Sequence, residues 1–364
     1  MERQGCRGLA RVVSWMWNQW MLVTLAWYAC AVFTAATLKR SKHRAMLSVF
    51  ANLVIGWPLI TPFAMADGTE GCQRLKTHWR KVLLIAVLAG LEKNLTNSSL
   101  SSIGGALKTA LHGLNVVFTF FVAAIAGADD RAYYCIRGCR CSGNLLLTIS
   151  LILVACGSVF ALPKGNSKEE AWGTSHWGVI FQLGSGIAYA MKFTAIKLLL
   201  CSNNESANSA HRPPSKAQVV FLCNPVIGLM SLALVPLGGD WTVPEFSLAL
   251  AVAAAATPIL VLQMQLIQLL KSPVTVAVLA VFHDLAIVCY FVSMGGESFS
   301  RAQVIGYTVS AVGAILYSCA KYRYSDLAAQ DLSDCSSSIE NDRSFSITPQ
   351  TMRLHFSFST QSSF

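Results

Sequence analysis

Apolar stretches of about 18 or more residues recur along most of this chain, and they restrict its fold more than any other feature. A helix of about 20 apolar residues crosses the hydrocarbon core of a bilayer, where backbone polar groups must be satisfied within the segment. The composition agrees, because 54% of the 364 residues are hydrophobic and only 13% are charged. Soluble domains carry about 25% charged residues. The sequence therefore predicts an all-α, polytopic membrane bundle.

The apolar stretches divide the chain into three parts. We predict a cytosolic N-terminal segment over 1–16, a ten-helix domain over 17–323, and a Ser-rich, disordered cytosolic tail over 324–364. The predicted spans run near 17–38, 45–66, 81–100, 101–126, 144–162, 176–200, 217–237, 246–270, 273–295 and 302–322.

The lysines and arginines between the spans predict the orientation. With both termini in the cytosol, the cytosolic segments carry roughly twice as many of these residues as the opposite side, in keeping with the positive-inside rule. The basic cluster at 39–44 opposes this orientation. The formal net charge of +10 does not indicate a nucleic-acid partner, because the basic residues lie between spans as membrane topology requires.

Two histidines and several charged side chains interrupt the apolar runs. A charge at the bilayer centre costs about 2.5–3.5 kcal/mol, so such residues face one another or a water-filled cavity. Polar residues recur at helical spacing from Lys108 to Thr119, and similar stripes occur on the third, sixth and ninth spans. The predicted substrate-binding residues of this cavity are Glu92, Lys108, His112, Asn115, Tyr189, Lys192, His283 and Asp284.

These stripes have two interpretations. Ser, Thr, Asn and His routinely join membrane helices by hydrogen bonds, so the stripes would also suit packing alone. Lysines combined with histidines and carboxylates on other spans favour a polar pathway instead. Three lysines outnumber the two carboxylates, Glu92 and Asp284, and both histidines can protonate. A net positive cavity predicts an anionic small-molecule substrate.

The two halves of the domain, about 17–162 and 176–323, are predicted to be inverted five-helix repeats. In the assigned topology, spans four and nine run in opposite directions. Each has a central histidine, and each ends near a glycine followed by an acidic residue. Inverted repeats around a midplane site are the usual architecture of secondary transporters.

Cys135, Cys139 and Cys141 cluster in one basic loop. Their spacing matches no standard zinc pattern, so we favour free or palmitoylated thiols over a metal site. We predict no metal and no cofactor. We also predict that the protein is not an enzyme, since the intramembrane Gly-x-Ser-Gly pattern, a paired carboxylate and a metal-binding helix are all absent from the sequence.

Three stretches resemble one family of carriers. Residues 92–100 resemble its acid-x-x-x-x-Asn-x-Ser segment between spans three and four, 272–297 resemble its ninth span, and 306–321 resemble its last span and exit. Asn224–Pro225 also fits its seventh span. Over roughly residues 20–325, the chain is similar to the triose-phosphate and nucleotide-sugar transporter group. That group has an EamA-like fold and belongs to the drug/metabolite transporter superfamily.

The resemblance implies antiport of a phosphorylated or nucleotide-linked sugar by alternating access. It also implies a Golgi or endoplasmic reticulum membrane, and it leaves a plastid-type membrane and a homodimer open. His112 and His283 stand where the family usually has lysine, and Asp284 stands where it has glutamate. Ala188 occupies a common arginine position, with Lys192 one turn further on.

Two alternatives to an anion antiporter stay open at the level of sequence. A proton-coupled carrier for a different cargo would use the two histidines, because histidine is the side chain that ordinarily exchanges protons near neutral pH. A non-transporting membrane scaffold would have polar stripes that pack closed, without a cavity.

Overall fold

The computed structural model describes residues 2–41, 44–103, 108, 111–129, 142–160, 176–200, 212–238, 243–295 and 300–341, and every regular element in these ranges is helical. We number the helices α1 (Glu2–Arg40), α2 (Arg44–Met65), α3 (Gly68–Ser102), α4 (Asn115–Ile125), α5 (Ser142–Phe160), α6 (His176–Leu200), α7 (Lys216–Gly238), α8 (Phe246–Leu270), α9 (Pro273–Gly295) and α10 (Arg301–Asn341). The predicted all-α architecture is confirmed for this part of the chain.

Seven helices in the described ranges are long and apolar enough to cross a membrane. They are α2, α6 and α8 over their whole lengths, together with Gln19–Leu38 of α1, Lys216–Val235 of α7, Pro273–Tyr290 of α9 and Arg301–Lys321 of α10. The chain is thus a multi-pass helical membrane protein. Ten crossings and two inverted halves stay predictions, because α4 and the apolar part of α5 are short and the first turns of α3 are polar.

The predicted fourth span is not one continuous helix over its described residues. The backbone is extended at Ile103, and a turn at Gly113 and Leu114 separates the helical residues 111–112 from α4. Glycine favours this break, because it costs about 1 kcal/mol relative to alanine inside a helix. The predicted polar face from Lys108 to Thr119 is therefore interrupted, and its two ends point to different surroundings.

The middle of α2 is a π-helix over Phe50–Gly56. Pro58 lies two residues after its end, and proline has no backbone N–H to donate to the carbonyl one turn earlier. The Asn52 side chain lies inside this segment and donates a hydrogen bond of 2.7 Å to the Ser48 carbonyl. Single π-helical turns are frequent at functional sites, and this one faces the interior of the bundle through buried Asn52.

Small side chains make up much of the core between α2 and α8. The core between α2 and α8 contains Ala51, Ala249, Ala253 and Ala256 together with Leu47. Elsewhere α3 packs along α6 and α7, and α1 packs along α8 and α9. Small residues let membrane helices approach closely, so van der Waals contact rather than a hydrophobic effect holds them together.

The end of the chain contains a second compact unit and a long last helix. Residues up to Ser318 form one compact unit, and Cys319–Phe364 form a second. Helix α10 continues to Asn341, where the sequence predicts disorder from residue 324. Leu327, Ala328, Ala329 and Gln330 have good helix propensity, which suits this extension. The rest of the predicted disordered tail, 342–364, lies outside the described residues.

We expect Gly157→Ala to lower the free energy of unfolding by about 1–3 kcal/mol, as overpacking typically does. A Cβ at Gly157 would lie 2.4 Å from the Ser310 nitrogen and 2.6 Å from the Gly306 carbonyl oxygen, and both are backbone atoms. Thermal unfolding in detergent measures the change. Gly184→Ala is the matched control, because its Cβ would meet only Leu95 Cδ1 at 3.4 Å. Equal stability of the two variants would contradict the close α5–α10 contact.

Candidate functional site

A cavity of about 390 Å³ lies inside the bundle, lined by residues of α1, α2, α3, α6, α7, α8 and α9 and by the segment before α4. Its polar lining comprises Thr34, Arg44, Glu92, Lys93, Thr96, Asn97, Lys108, His112, Tyr189, Lys192, Gln263, His283 and Asp284. Seven of the eight predicted site residues line this cavity, and Asn115 does not. The fold therefore brings together polar side chains from distant parts of the sequence.

A buried ion pair crosses the cavity between α3 and α6. Lys192 Nζ lies 2.5 Å from Glu92 Oε2, and it also donates to Gln263 Oε1 at 3.3 Å. The Lys192 side chain is only 2% exposed, and its ammonium lies 5.2 Å from the centre of the Tyr189 ring. Glu92 neutralises the lysine, and the aromatic face provides a further favourable contact. Lys192 thus has a compensating carboxylate and a second hydrogen-bond acceptor within the protein.

His112, Asp284 and His283 form a second charged cluster, which we call the His–Asp–His cluster. His112 Nδ1 lies 2.6 Å from Asp284 Oδ2, and His283 Nδ1 lies 2.9 Å from Asp284 Oδ1. An ionised carboxylate only accepts hydrogen bonds, so each imidazole carries its proton on Nδ1. The indole of Trp27 stacks on His283 with ring centres 5.1 Å apart and planes within 12°. The cluster joins two segments separated by 172 residues in the sequence.

Three further cations line the cavity. Lys93 donates to Asn52 Oδ1 at 3.2 Å, and this amide is neutral. Lys108 and Arg44 have no hydrogen bond or ion pair with another residue in the part of the chain that the structure describes. Lys108 lies close enough to Arg44 and Asp284 to interact with both electrostatically. With neutral histidines, the described lining residues include four cations and two carboxylates, an excess of two positive charges.

Two lining residues also have buried polar atoms without a partner among the described residues. These atoms are the amide nitrogen of Asn97 and the hydroxyl oxygen of Tyr189. Leaving such a group unpaired costs about 1–3 kcal/mol. Both groups can donate a hydrogen bond, so a bound molecule with acceptor oxygens would suit this lining.

Asn115 has a different environment from its predicted partners. It is 2% exposed, and neither its amide oxygen nor its nitrogen has a partner among the described residues. A Cβ at Gly186 would lie 2.5 Å from Asn115 Oδ1, so the side chain sits at the contact of α4 with α6. His112 contacts Tyr189 one turn away from Gly186 on the same helix, so Asn115 lies next to the His112 position but outside the cavity lining.

Several lining residues were absent from the predicted site. Arg44 was assigned to the basic loop cluster at 39–44, although it is the first residue of an apolar helix. Lys93 is a charge within the predicted third span, next to the predicted site residue Glu92, but it is not among the eight predicted site residues. The sequence does not mark Trp27 and Gln263 as site residues, because a tryptophan or a glutamine in an apolar run commonly serves helix packing.

No group of three or more His, Cys, Asp or Glu side chains suited to a metal occurs within the described ranges. Cys135, Cys139 and Cys141 lie outside those ranges, so the interpretation of that cluster stays a prediction.

Among known proteins, only solved structures show a similarity to this chain. No protein-family model and no curated protein matches the chain. Twenty-six solved chains resemble the structure. One of them, described as "Crystal structure of protein", has a TM-score of 0.57 and 15% sequence identity over 84% of this chain and 99% of its own. At this identity the likeness shows a shared fold.

Proposed function

We propose that this protein is a secondary transporter related to the triose-phosphate and nucleotide-sugar group. It moves a phosphorylated or nucleotide-linked sugar across an endomembrane by alternating access, as an antiporter. The observation that carries this proposal is a cavity of about 390 Å³ in an apolar helical bundle, where cationic side chains outnumber carboxylates four to two.

The excess charge supports an anionic cargo. Like charges in a low-dielectric cavity repel each other, and an unpaired cation away from water is costly. Lys108 and Arg44 face the cavity without a partner in the described part of the chain. A phosphate group offers negative charge and several acceptor oxygens, so it compensates both cations and the donor groups of Asn97 and Tyr189.

Contacts across the cavity support alternating access. Glu92 to Lys192 and His112 to Asp284 each join a residue before position 161 with one after position 175. In a carrier with two inverted halves, these pairs would close the cavity on one side and separate when it opens. A non-transporting scaffold would have polar stripes that pack closed, so the cavity favours transport over that alternative.

The expected location follows from the resemblance and from the charges. We assign the carrier to the Golgi or endoplasmic reticulum membrane, with a plastid-type membrane as the alternative, and both termini to the cytosol. The basic cluster at 39–44 opposes a cytosolic position of both termini, because the positive-inside rule counts charges in loops. Arg44 of this cluster lines the cavity, so it is not a loop charge and does not count against this orientation.

A substrate-panel exchange assay tests the proposal. The full chain is reconstituted into vesicles loaded with inorganic phosphate, a hexose monophosphate or a nucleoside monophosphate, and uptake of a labelled hexose phosphate or nucleotide sugar is followed. We expect uptake only when an anion is present inside. Uptake of a neutral hexose or an organic cation in place of anions, or no uptake from the whole panel, would contradict the proposal.

We expect Lys108→Gln and Arg44→Gln each to raise the KM for anion exchange about 10- to 100-fold, since a hydrogen bond to a charged group contributes about 1.5–3 kcal/mol. The protein should stay folded, because neither cation has a partner among the described residues that the substitution would leave unpaired. Exchange kinetics and thermal unfolding measure the two effects. Lys197→Gln is the control, because Lys197 lies near the end of α6 and outside the cavity lining. An unchanged KM in both test variants would remove these cations from the binding site.

A further inference from the structure

The His–Asp–His cluster has the chemistry of a site for one proton. Asp284 accepts one hydrogen bond from each imidazole through separate carboxylate oxygens, at 2.6 and 2.9 Å. In this arrangement the two neutral rings and the carboxylate carry one negative charge together. Each ring keeps a lone pair on Nε2. A proton that adds to either Nε2 forms an N–H bond, breaks none, and brings the cluster to zero net charge.

The surroundings of the cluster determine when this proton binds. The titratable and charged groups that face it are Tyr28 on α1, Arg44 on α2, Glu92 and Lys93 on α3, Lys108 before α4, and Tyr189 and Lys192 on α6. Glu92 and Lys192 neutralise each other at 2.5 Å. The remaining charges are three cations, and they oppose an added positive charge in the empty cavity.

An anion in the cavity reduces the repulsion between these cations and an added proton. It would compensate Lys108 and Arg44, which have no partner in the described ranges, and so lower the repulsion that an imidazolium meets. The stacked indole of Trp27, 5.1 Å from His283, also favours a cation on that ring. By linkage, if the anion strengthens proton binding, the proton strengthens anion binding by the same factor.

We propose that the His112–Asp284–His283 cluster is a proton-binding site that takes up one proton together with the anionic substrate. The inference rests on the proposed transport function and deepens it, because it makes the loaded carrier a complex of anion and proton. It also gives a reason for histidine at these positions, since a lysine stays charged at neutral pH and would bind no further proton.

The first test compares the KM for anion exchange at equal internal and external pH of about 6 and about 8, which bracket the ordinary histidine range. The probe is whichever of inorganic phosphate, a hexose monophosphate and a nucleoside monophosphate exchanges. In the unaltered protein we expect the KM to fall at the lower pH, by at most about tenfold per pH unit for one linked proton. In Asp284→Asn the KM should no longer depend on the protonation of the protein. Any remaining change with pH should come from the titration of the probe itself, which is the same for both proteins.

His78→Gln is the matched control, because His78 lies on α3 outside the cavity lining. This variant should keep the pH dependence of the unaltered protein. Exchange with the same pH dependence in the unaltered protein and in Asp284→Asn would overturn the proton site and leave the transport function standing. Failure of all three probes to exchange at either pH would instead count against the transport function.

The second test needs no transport. Nitrogen NMR of the purified full chain with labelled histidine reports the protonation of each ring between about pH 5 and 8. We expect His112 and His283 to take up a single proton between them, with a midpoint that moves to higher pH when inorganic sulfate is added as an anion probe. The inference would be overturned if the two rings each took up a proton independently, with midpoints that sulfate does not shift. It would also be overturned if neither ring took up a proton in this pH range.

Discussion

We expect Lys192→Ala to abolish anion uptake and to lower the free energy of unfolding by about 3–5 kcal/mol, the usual cost of removing one partner from a buried ion pair. The lysine is 2% exposed and lies 2.5 Å from Glu92, so the variant leaves a carboxylate uncompensated inside the bundle. Thermal unfolding in detergent and vesicle exchange measure the two losses.

A double variant separates stability from transport. In Glu92→Gln with Lys192→Met, both charges are removed, and replacement of a buried pair by neutral groups is often close to neutral in stability. We therefore expect most of the lost stability to return while uptake stays absent, because under the proposed alternating access the pair between α3 and α6 closes one side of the cavity. Full uptake by the double variant would show that the pair serves stability alone.

Asp284→Ala is expected to abolish uptake at every pH. The substitution leaves the Nδ1 groups of His112 and His283 without their acceptor, and each unpaired buried donor costs about 1–3 kcal/mol. It also removes the contact that joins α9 to the segment before α4. Exchange in vesicles and thermal unfolding measure both consequences.

Asp67→Ala is the control for Asp284→Ala. Asp67 is an exposed residue at the start of α3, and its side chain forms no capping hydrogen bond there. The stability of this variant should stay within about 0.5 kcal/mol of the original. Uptake by Asp284→Ala at the level of Asp67→Ala would exclude the His–Asp–His cluster from the transport mechanism.

Helix positions were largely predictable from the sequence. The predicted spans at 176–200, 246–270 and 273–295 coincide with α6, α8 and α9. The reason is that a membrane helix satisfies its backbone within its own segment, so the length of an apolar run sets its bounds. The fourth span differs, because a turn at Gly113 interrupts it and a hydropathy pattern does not register such a local break.

The sequence predicted only some of the polar residues that line the cavity together. Costly charges within apolar runs pointed to Glu92, Lys192 and Asp284, and all three line the cavity. Asn115 lay on the same predicted face as His112, but it packs at the α4–α6 contact beside Gly186. His112 contacts Tyr189 on the same helix, so His112 and Asn115 both face α6 and only His112 reaches the cavity. Helical spacing predicts a shared face but not where along that face a cavity ends.

The sequence by itself determined that this chain is a helical membrane protein and that its internal charges need partners, because both follow from the cost of polar groups in hydrocarbon. Only the tertiary structure decided the partners. It paired Glu92 with Lys192, placed Asp284 between two histidines, and left Lys108 and Arg44 facing the cavity with no partner in the described ranges. These contacts depend on how helices distant in sequence rotate and cross, and residue spacing within one helix carries no information about that.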